Sequence, residues 1–242
     1  KISSVKEELL LPKGLEELRA LIELNAPLIL PKSLKDITLT GRFEDITFAD
    51  GSALTTIGST FLLQHPNQYR GALSTIQAKT LRLPEGLESL GTRALAAGVY
   101  GAFISTQRIE LKNALQIERL LLPSTLHSIG EAALFAAQIQ EALTLPQRLR
   151  HIGALAFYAC TLPEVTLPAS LERIDDQAFA LCGSLETVRA LGKTPPALGS
   201  MVFFRTTKQG LIERLIVPHG CKAAYIQAGY APYFFQIEEA AQ

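Results

Sequence analysis

A short motif that recurs along the chain is the feature that most constrains its fold. Each copy reads LPxxLxxI or a close variant, and copies occupy residues 11–18, 30–37, 83–90, 122–129, 145–152 and 167–174. The later copies follow one another at 22 or 23 residues, whereas the earlier spacings vary. Periods of about 20–50 residues are typical of solenoids, in which every repeat forms one coil. We therefore expect a repeat solenoid.

Two neighbouring repeats show which positions recur. The segments LRHIGALAFYAC at 149–160 and LERIDDQAFALC at 171–182 align without a gap, and their apolar residues and cysteines match while their charges do not. One coil cannot bury its own apolar face, but stacked coils bury equivalent residues against each other. We predict that Phe157 lies over Phe179 in one continuous core, and that the charged residues face water.

The segment VTLP at 165–168 predicts the strand of each coil. Val165 and Leu167 would point inward and Thr166 outward, which is the alternation of a half-buried strand. Pro168 has no N–H to donate and a fixed φ, so it suits the end of the strand and the corner that follows.

The pattern LxxVxLPxxLxxIgxxAFxxC resembles the leucine-rich repeat of the BspA-like family of bacterial cell-surface proteins. The match is clearest from about 117 to 188 and weaker from 1 to 95, where Phe61-Leu62 and Ala94-Leu95 replace Ala-Phe. The resemblance implies a right-handed coil of short parallel strands with a small α/β C-terminal cap. Accordingly we divide the chain into a solenoid at 1–190, irregular over 1–116 and regular over 117–190, and a cap at 191–242.

A cap has a physical reason, because the open end of a solenoid exposes apolar side chains and unpaired strand edges. The segment CKAAYIQA at 221–228 has the composition of a short helix, and Tyr225, Phe234 and Ile237 can cover the last coil. The family often carries a tryptophan in this part. The chain has none, so we expect Tyr230 or Tyr233 in its place.

Composition excludes several classes of partner. Lys+Arg and Asp+Glu number 23 each, which does not indicate binding to nucleic acid or to an anionic membrane surface. The longest nearly uncharged apolar run, 94–104, is shorter than the ~20 residues that cross a bilayer. The chain begins at Lys1 without a basic and apolar leader, so we expect a mature chain from which an export signal has been removed.

The three cysteines form no CxxC motif, which indicates neither a disulfide framework nor a zinc site. Cys160 and Cys182 would occupy stacked positions roughly 4.8 Å apart, within the range that a disulfide bridges. We interpret them as buried thiols that pack as small apolar groups, with a disulfide as the alternative.

Few residues suggest catalysis. His127 and His151 fall at outward positions of neighbouring coils, with His65 and His219 elsewhere; a metal site would need further converging ligands. The pair Asp175-Asp176 could do acid–base chemistry, but we expect it on an exposed turn. Phosphate loops and nucleophile or zinc-protease motifs are absent from the sequence. We predict a protein that is not an enzyme and needs no cofactor or metal.

The outward strand positions are the candidate binding residues. They are Lys79, Arg82, Glu118, Arg119, Glu141, Thr144, Glu164 and Thr166. Their mixed charge and lack of aspartate favour a binding face over the catalytic groove of a polysaccharide lyase. Arg119 is the first candidate, with Lys79 and Arg82 beside it, because binding energy often concentrates in a few arginine or aromatic residues. The alternative is that these charges only keep the surface soluble.

The resemblance implies a secreted or surface-anchored bacterial protein. It would recognise a protein or a glycan on another cell or in host matrix, by adhesion and without catalysis. Two alternatives stay open, a glycan-binding or glycan-processing solenoid and a structural module that carries another domain. The ligand would be selected by the non-repeating surface residues, because a fold does not imply a function.

Overall fold

The computed structural model describes residues 9–24, 26–61, 69–71, 73, 75–96, 115–206 and 210–241. Its strands are β1 (Glu17–Glu23), β2 (Leu28–Leu30), β3 (Asp36–Arg42), β4 (Asp45–Phe48), β5 (Thr56–Ile57), β6 (Ser59–Phe61), β7 (Tyr69–Gly71), β8 (Thr75–Arg82), β9 (Ser89–Leu90), β10 (Gln116–Leu121), β11 (Ser128–Ile129), β12 (Gln138–Ile139), β13 (Leu143–Thr144), β14 (His151–Ile152), β15 (Glu164–Leu167), β16 (Arg173–Ile174), β17 (Thr187–Ala190), β18 (Ala197–Leu198), β19 (Ile212–Val217) and β20 (Phe234–Glu239). A helix, α1 (Lys222–Gln227), and a 3₁₀ turn (Ala231–Tyr233) lie between β19 and β20.

The longer strands form two parallel sheets that meet at one coil. The first sheet runs β1-β3-β8-β10-β12, with β2 and β4 alongside, and the second runs β13-β15-β17-β19-β20. The coil at 138–145 joins them, since β12 pairs with β10 while β13 pairs with β15. We call the outward side of these two sheets the strand face. The parallel pairing confirms that the chain is a repeat solenoid.

A third sheet lies across the core from the strand face and consists of two-residue strands. Its order is β18-β16-β14-β11-β9-β5. In the coils of β11, β14 and β16 the second residue is the isoleucine that ends the LPxxLxxI motif, and its side chain is buried at Ile129, Ile152 and Ile174. The apolar spacing of the motif therefore places one inward side chain on each of these strands.

The turns that follow the third sheet contain non-glycine residues in the left-handed region of the backbone. They are Arg93, Ala132, Ala136, Leu155, Ala159, Gln177, Leu181 and Met201, with φ from 51° to 58°. This conformation costs about 1–2 kcal/mol for a residue with a Cβ. In these turns, backbone N–H groups donate alternately to the next coil and to their own coil. Phe157 N donates to Ala178 O of the next coil at 2.7 Å, whereas Ala156 N donates to Gly153 O of the same coil at 3.3 Å. The bonds between coils offset the strain.

Aromatic rings form the centre of the C-terminal core. The rings of Phe157 and Phe179 stack, and Phe179 stacks in turn on Phe203 with centroids 5.3 Å apart. Leu134 is fully buried at the equivalent position one coil earlier. The predicted stacking of Phe157 over Phe179 is confirmed, and Phe203 extends the same column by one coil.

The C-terminal segment closes the core as expected. The short helix expected at 221–228 is confirmed as α1. Tyr225 donates its hydroxyl to Gly192 O at 2.7 Å, and Tyr230 donates to Pro196 O at 3.2 Å. Tyr230 is buried beside the ring of Phe203, and Tyr233 meets the same ring edge-on. The two parallel sheet ladders continue across residue 190 into β18 and β19, and the division of the chain at that residue stays a prediction.

Candidate binding face

The predicted binding residues all lie on the strand face or in its connections. Lys79 and Arg82 belong to β8, Glu118 and Arg119 to β10, Thr144 to β13, and Glu164 and Thr166 to β15, while Glu141 precedes β13. Glu164 and Thr166 are half-buried. The other six residues, which include Arg82 and Arg119, are exposed. The solenoid thus brings these residues to one side, and their role in binding stays a prediction.

Three ion pairs on this face join side chains of different coils. Arg119 donates to both carboxylate oxygens of Glu141, at 2.7 and 2.8 Å. Lys79 Nζ lies 2.9 Å from Glu44, and Arg189 Nε lies 3.5 Å from Glu164. These partners are 22 to 35 residues apart in the sequence. At these three pairs a partner would therefore meet neutralised charges.

The pairing also sets the ionisation of these groups. The hydrogen bond from Arg119 lowers the pKa of the Glu141 carboxyl. The hydrogen bond to Glu44, together with its charge, raises the pKa of the Lys79 ammonium. Both shifts favour the charged forms of Glu141 and Lys79. Glu44 and Arg189 were missed by the sequence reasoning, although opposite charges one repeat apart were a signal that could have found Arg189 beside Glu164.

An open concavity of about 240 Å³ indents the strand face where β8 and β10 lie side by side. Its polar lining comprises Arg42, Gln77, Lys79, Gln116, Glu118 and Gln140. Gln77 and Gln116 are direct neighbours in the register of the sheet. Gln77 Oε1 already accepts from Arg42 Nε at 3.1 Å. A primary amide carries donors as well as an acceptor, so this concavity can match a ligand that carries neutral polar groups. The glutamines were also missed from sequence.

The pair Asp175-Asp176 differs from the expected exposed turn. Asp176 is exposed, but the side chain of Asp175 is only 20% exposed. His151 Nε2 lies 2.7 Å from Asp175 Oδ2, and Arg173 Nε contacts the other oxygen. The expectation was wrong for Asp175, because two donors on adjacent strands hold it against the surface. Burial would raise its pKa, but these hydrogen bonds outweigh burial and lower it.

The remaining histidines form no metal site in the part of the chain that the structure describes. His127 is exposed at an outward position, as predicted, and His219 Nδ1 lies 3.5 Å from Glu239. His65 lies outside the described residues, as does the side chain of Phe61 with Leu62. Within the described ranges, no three side chains of histidine, cysteine, aspartate or glutamate converge as metal ligands.

The cysteines are buried free thiols, which confirms the preferred interpretation. Cys160 Sγ donates to Leu134 O at 2.9 Å, and Cys182 Sγ donates to Phe157 O at 3.0 Å. Burial raises the pKa of the Cys182 thiol to about 12 and that of Cys160 well above its usual range. The thiolate is the reactive form, so these positions are inert fillers of the core.

The described part of the chain contains no helix with the length and apolar character needed to cross a membrane. Of the apolar run at 94–104, residues 97–104 lie outside the described ranges.

Comparison with known proteins supports the same family. A model of the BspA type leucine rich repeat region matches residues 105–222 with six copies. The chain is similar to the pneumococcal vaccine antigen PcpA, with 13% identity, a TM-score of 0.41, and coverage of 90% of this chain and 80% of that one. A leucine rich cell surface protein from Faecalibacterium prausnitzii is 14% identical, with a TM-score of 0.33 and coverage of 90% of this chain and 80% of that one. A leucine-rich repeat protein from Bacteroides ovatus is 12% identical, with a TM-score of 0.26 and coverage of 93% of this chain and 94% of that one.

No curated protein sequence matches the chain. The family assignment rests on the repeat itself: the matched copies are the segments that form the stacked coils from β10 to β19. Residues 105–222 therefore form a BspA-type leucine-rich repeat region.

Proposed function

We propose that this chain is a non-enzymatic recognition module that binds a macromolecular partner through its strand face. The observation that carries the proposal is the concavity over β8 and β10, in which Lys79 and Glu118 converge with three glutamines. The parallel ladder beneath it holds these side chains on a rigid surface. Rigidity lowers the ordering cost of binding a large partner. The protein would be secreted or attached to the cell surface.

The ion pairs arrange opposite charges in a defined pattern on this face, which a partner can recognise. Exposed ion pairs contribute little to stability, so a partner can replace one member of a pair without unfolding the coil. Arg119 uses two of its five N–H donors on Glu141, which leaves donors for a ligand. We infer that the partner carries its own alternating charges or hydroxyl groups. It would be a protein or a glycan on another cell or in host matrix.

The same geometry argues against Glu141 as a general acid. Arg119 lowers the pKa of Glu141, so that carboxyl stays ionised and is a poor proton donor near neutral pH. A glycan is the second candidate ligand, and the amides of Gln77, Gln116 and Gln140 favour it.

A binding screen tests the proposal. The purified chain would be applied to immobilised host matrix proteins and to a glycan array, with hydrolase and lyase assays in parallel. Turnover of a glycan would contradict the non-enzymatic assignment. Failure to bind any partner would favour a scaffold role that carries another domain.

Four variants then locate the site for any partner found. Arg119→Glu should weaken binding at least about tenfold while the melting temperature stays close to that of the parent. The double variant Arg119→Glu/Glu141→Arg restores the ion pair in reverse order, and it should remain weak if the partner reads the order of charges.

Arg214→Glu is the matched control, because Ile212–Leu215 repeats the sequence of Ile117–Leu120 in a later coil. It should bind like the parent. Equal affinity for the parent, Arg119→Glu and Gln116→Ala would move the binding site away from both Arg119 and the concavity.

A further inference from the structure

A second concavity, of about 530 Å³, lies outside the strand face at the corner that follows the strands. We call it the corner groove. It is lined by Gly86, Glu88, Thr125, His127, Gln147, Arg148, Arg150 and Ser170. It spans four coils, and its volume falls in the range of about 300–1,000 Å³ typical of small-ligand sites.

The groove arises from side-chain size at one repeat position. Gly86, Thr125, Arg148 and Ser170 occupy the same place in four LPxxL motifs. Gly86 has no side chain, and Thr125 turns its hydroxyl inward to accept from Gly86 N at 3.1 Å and donate to Leu87 O at 2.9 Å. Ser170 is likewise turned inward and donates to Leu149 O at 2.7 Å. Two short neighbours on one side and one on the other thus leave space around the long Arg148 side chain.

The two arginines of the groove differ in the ion pairs that they already form. Arg150 makes one hydrogen bond to Glu172, at 2.9 Å, and keeps further donors. Among the described residues, no carboxylate lies within ion-pair distance of the Arg148 guanidinium. This contrasts with Arg119 on the strand face, which Glu141 already occupies. The Arg148 end of the groove can therefore hold a carboxylate, which guanidinium groups bind through two parallel hydrogen bonds.

The opposite end of the groove has different chemistry. Glu88 contributes an acceptor there and would repel a second anion. A suitable ligand therefore presents a carboxylate to Arg148 and a hydroxyl donor to Glu88.

A peptide would find little to bind here. The backbone N–H groups of His127, Arg150 and Glu172 are already donated to the preceding coils, each at 2.9 Å. The lining contains no apolar side chain that could receive a peptide side chain. From these observations we propose that the corner groove binds a carboxylate-bearing sugar residue of a glycan chain, with Arg148 as the main contact and Glu88 accepting from a ring hydroxyl. This proposal is independent of any binding at the strand face.

Calorimetric titration with a linear tetrasaccharide that carries one galacturonic acid among three galactose residues, called the acid tetramer, tests the proposal. Its methyl ester differs only by the masked carboxylate, and a tetraglutamate peptide presents carboxylates without ring hydroxyls. The acid tetramer should bind, and the ester and the peptide should each bind at least about tenfold more weakly, as the loss of a charge-assisted hydrogen bond produces.

Variants assign the binding to the groove. Arg148→Gln should lose about tenfold or more in affinity, and Arg148→Lys should lose less because it keeps the charge without the planar fork. Lys193→Gln removes one exposed positive charge elsewhere and should bind within about twofold of the parent. Arg119→Glu should also bind normally, which separates this site from the strand face.

The proposal would be overturned if the parent chain did not bind the acid tetramer at about 10 mM. This concentration lies well above the dissociation constants of specific ligands. Equal binding by the parent and Arg148→Gln would overturn it as well. Tetraglutamate binding as tightly as the sugar acid would show that the groove reads carboxylates alone and would reject the assignment to a sugar.

Discussion

Phe157 lies flat on Phe179, with ring centroids 4.7 Å apart and ring planes inclined by only 3°. The two residues are one repeat apart in the sequence and occupy equivalent positions in adjacent coils. Stacked coils thus superimpose their core side chains directly. Each ring packs within its own coil and also against the equivalent ring of the next coil.

Replacing Phe157 by alanine should strongly destabilise the protein. The substitution removes a fully buried ring and leaves a cavity, which costs roughly 3–5 kcal/mol. Phe235→Ala is the matched control, since that ring is 73% exposed and its loss should change stability by no more than about 0.5 kcal/mol. Urea unfolding followed by circular dichroism measures both. Similar midpoints for Phe157→Ala and the parent would show that this ring column does not hold the coils together.

Truncation after residue 190 should cause aggregation. It removes Phe203, Tyr225 and Tyr230, which are buried over the end of the aromatic column. It also leaves the edge of β17 without β19, and a bare parallel edge invites pairing with other chains. Size-exclusion chromatography and thermal melting would detect the effect. A monomeric 1–190 fragment that melts cooperatively would contradict the role of 191–242 as a cap.

All three cysteines should react as free thiols, but only after unfolding. Burial raises the pKa of Cys182 to about 12 and that of Cys160 well above the usual range, so these two residues form little thiolate near neutral pH in the native protein. Titration with a thiol reagent should give about three groups per chain in denaturant without reductant, and slow reaction before unfolding. A value near one would instead indicate a disulfide, most simply between Cys160 and Cys182.

Asp175 should make stability depend on acid pH. Despite burial, the hydrogen bonds from His151 and Arg173 lower its pKa in the folded state. A group of this kind stabilises the fold above its unfolded pKa of about 3.9 and loses that effect as the pH falls through the folded value. Relative to Asp175→Asn, the parent should therefore be more stable above about pH 5, and the difference should shrink below about pH 4.

Urea titrations of the parent and Asp175→Asn from pH 7 to pH 2.5 would measure this dependence. His151→Gln tests its origin, because it removes a donor of the carboxylate and should weaken the dependence. A stability difference between the parent and Asp175→Asn that stays constant over the whole range would rule out the carboxylate as its source.

The amino-acid sequence alone determined the solenoid and its core. Repeated leucines, isoleucines and the Ala-Phe pairs predicted which side chains stack, because burial of apolar area is the same requirement in every coil. Pro168 and the alternation in 165–168 predicted the strand and its corner for a local reason, the restricted φ and the missing N–H of proline. The irregular N-terminal half was less predictable, since its spacings do not repeat.

Only the tertiary structure decided what the surface presents. The sequence analysis selected Arg119 as the first candidate contact, and folding places Glu141 against it from 22 residues away. It also treated Asp175 as an exposed turn residue, whereas His151 and Arg173 converge on it from neighbouring strands. The glutamine concavity and the corner groove were likewise invisible before folding, because each combines side chains of several coils. Core positions follow the same requirement in every coil, which is the burial of apolar side chains. Surface chemistry instead depends on which polar and charged side chains the stacking of the coils places next to each other.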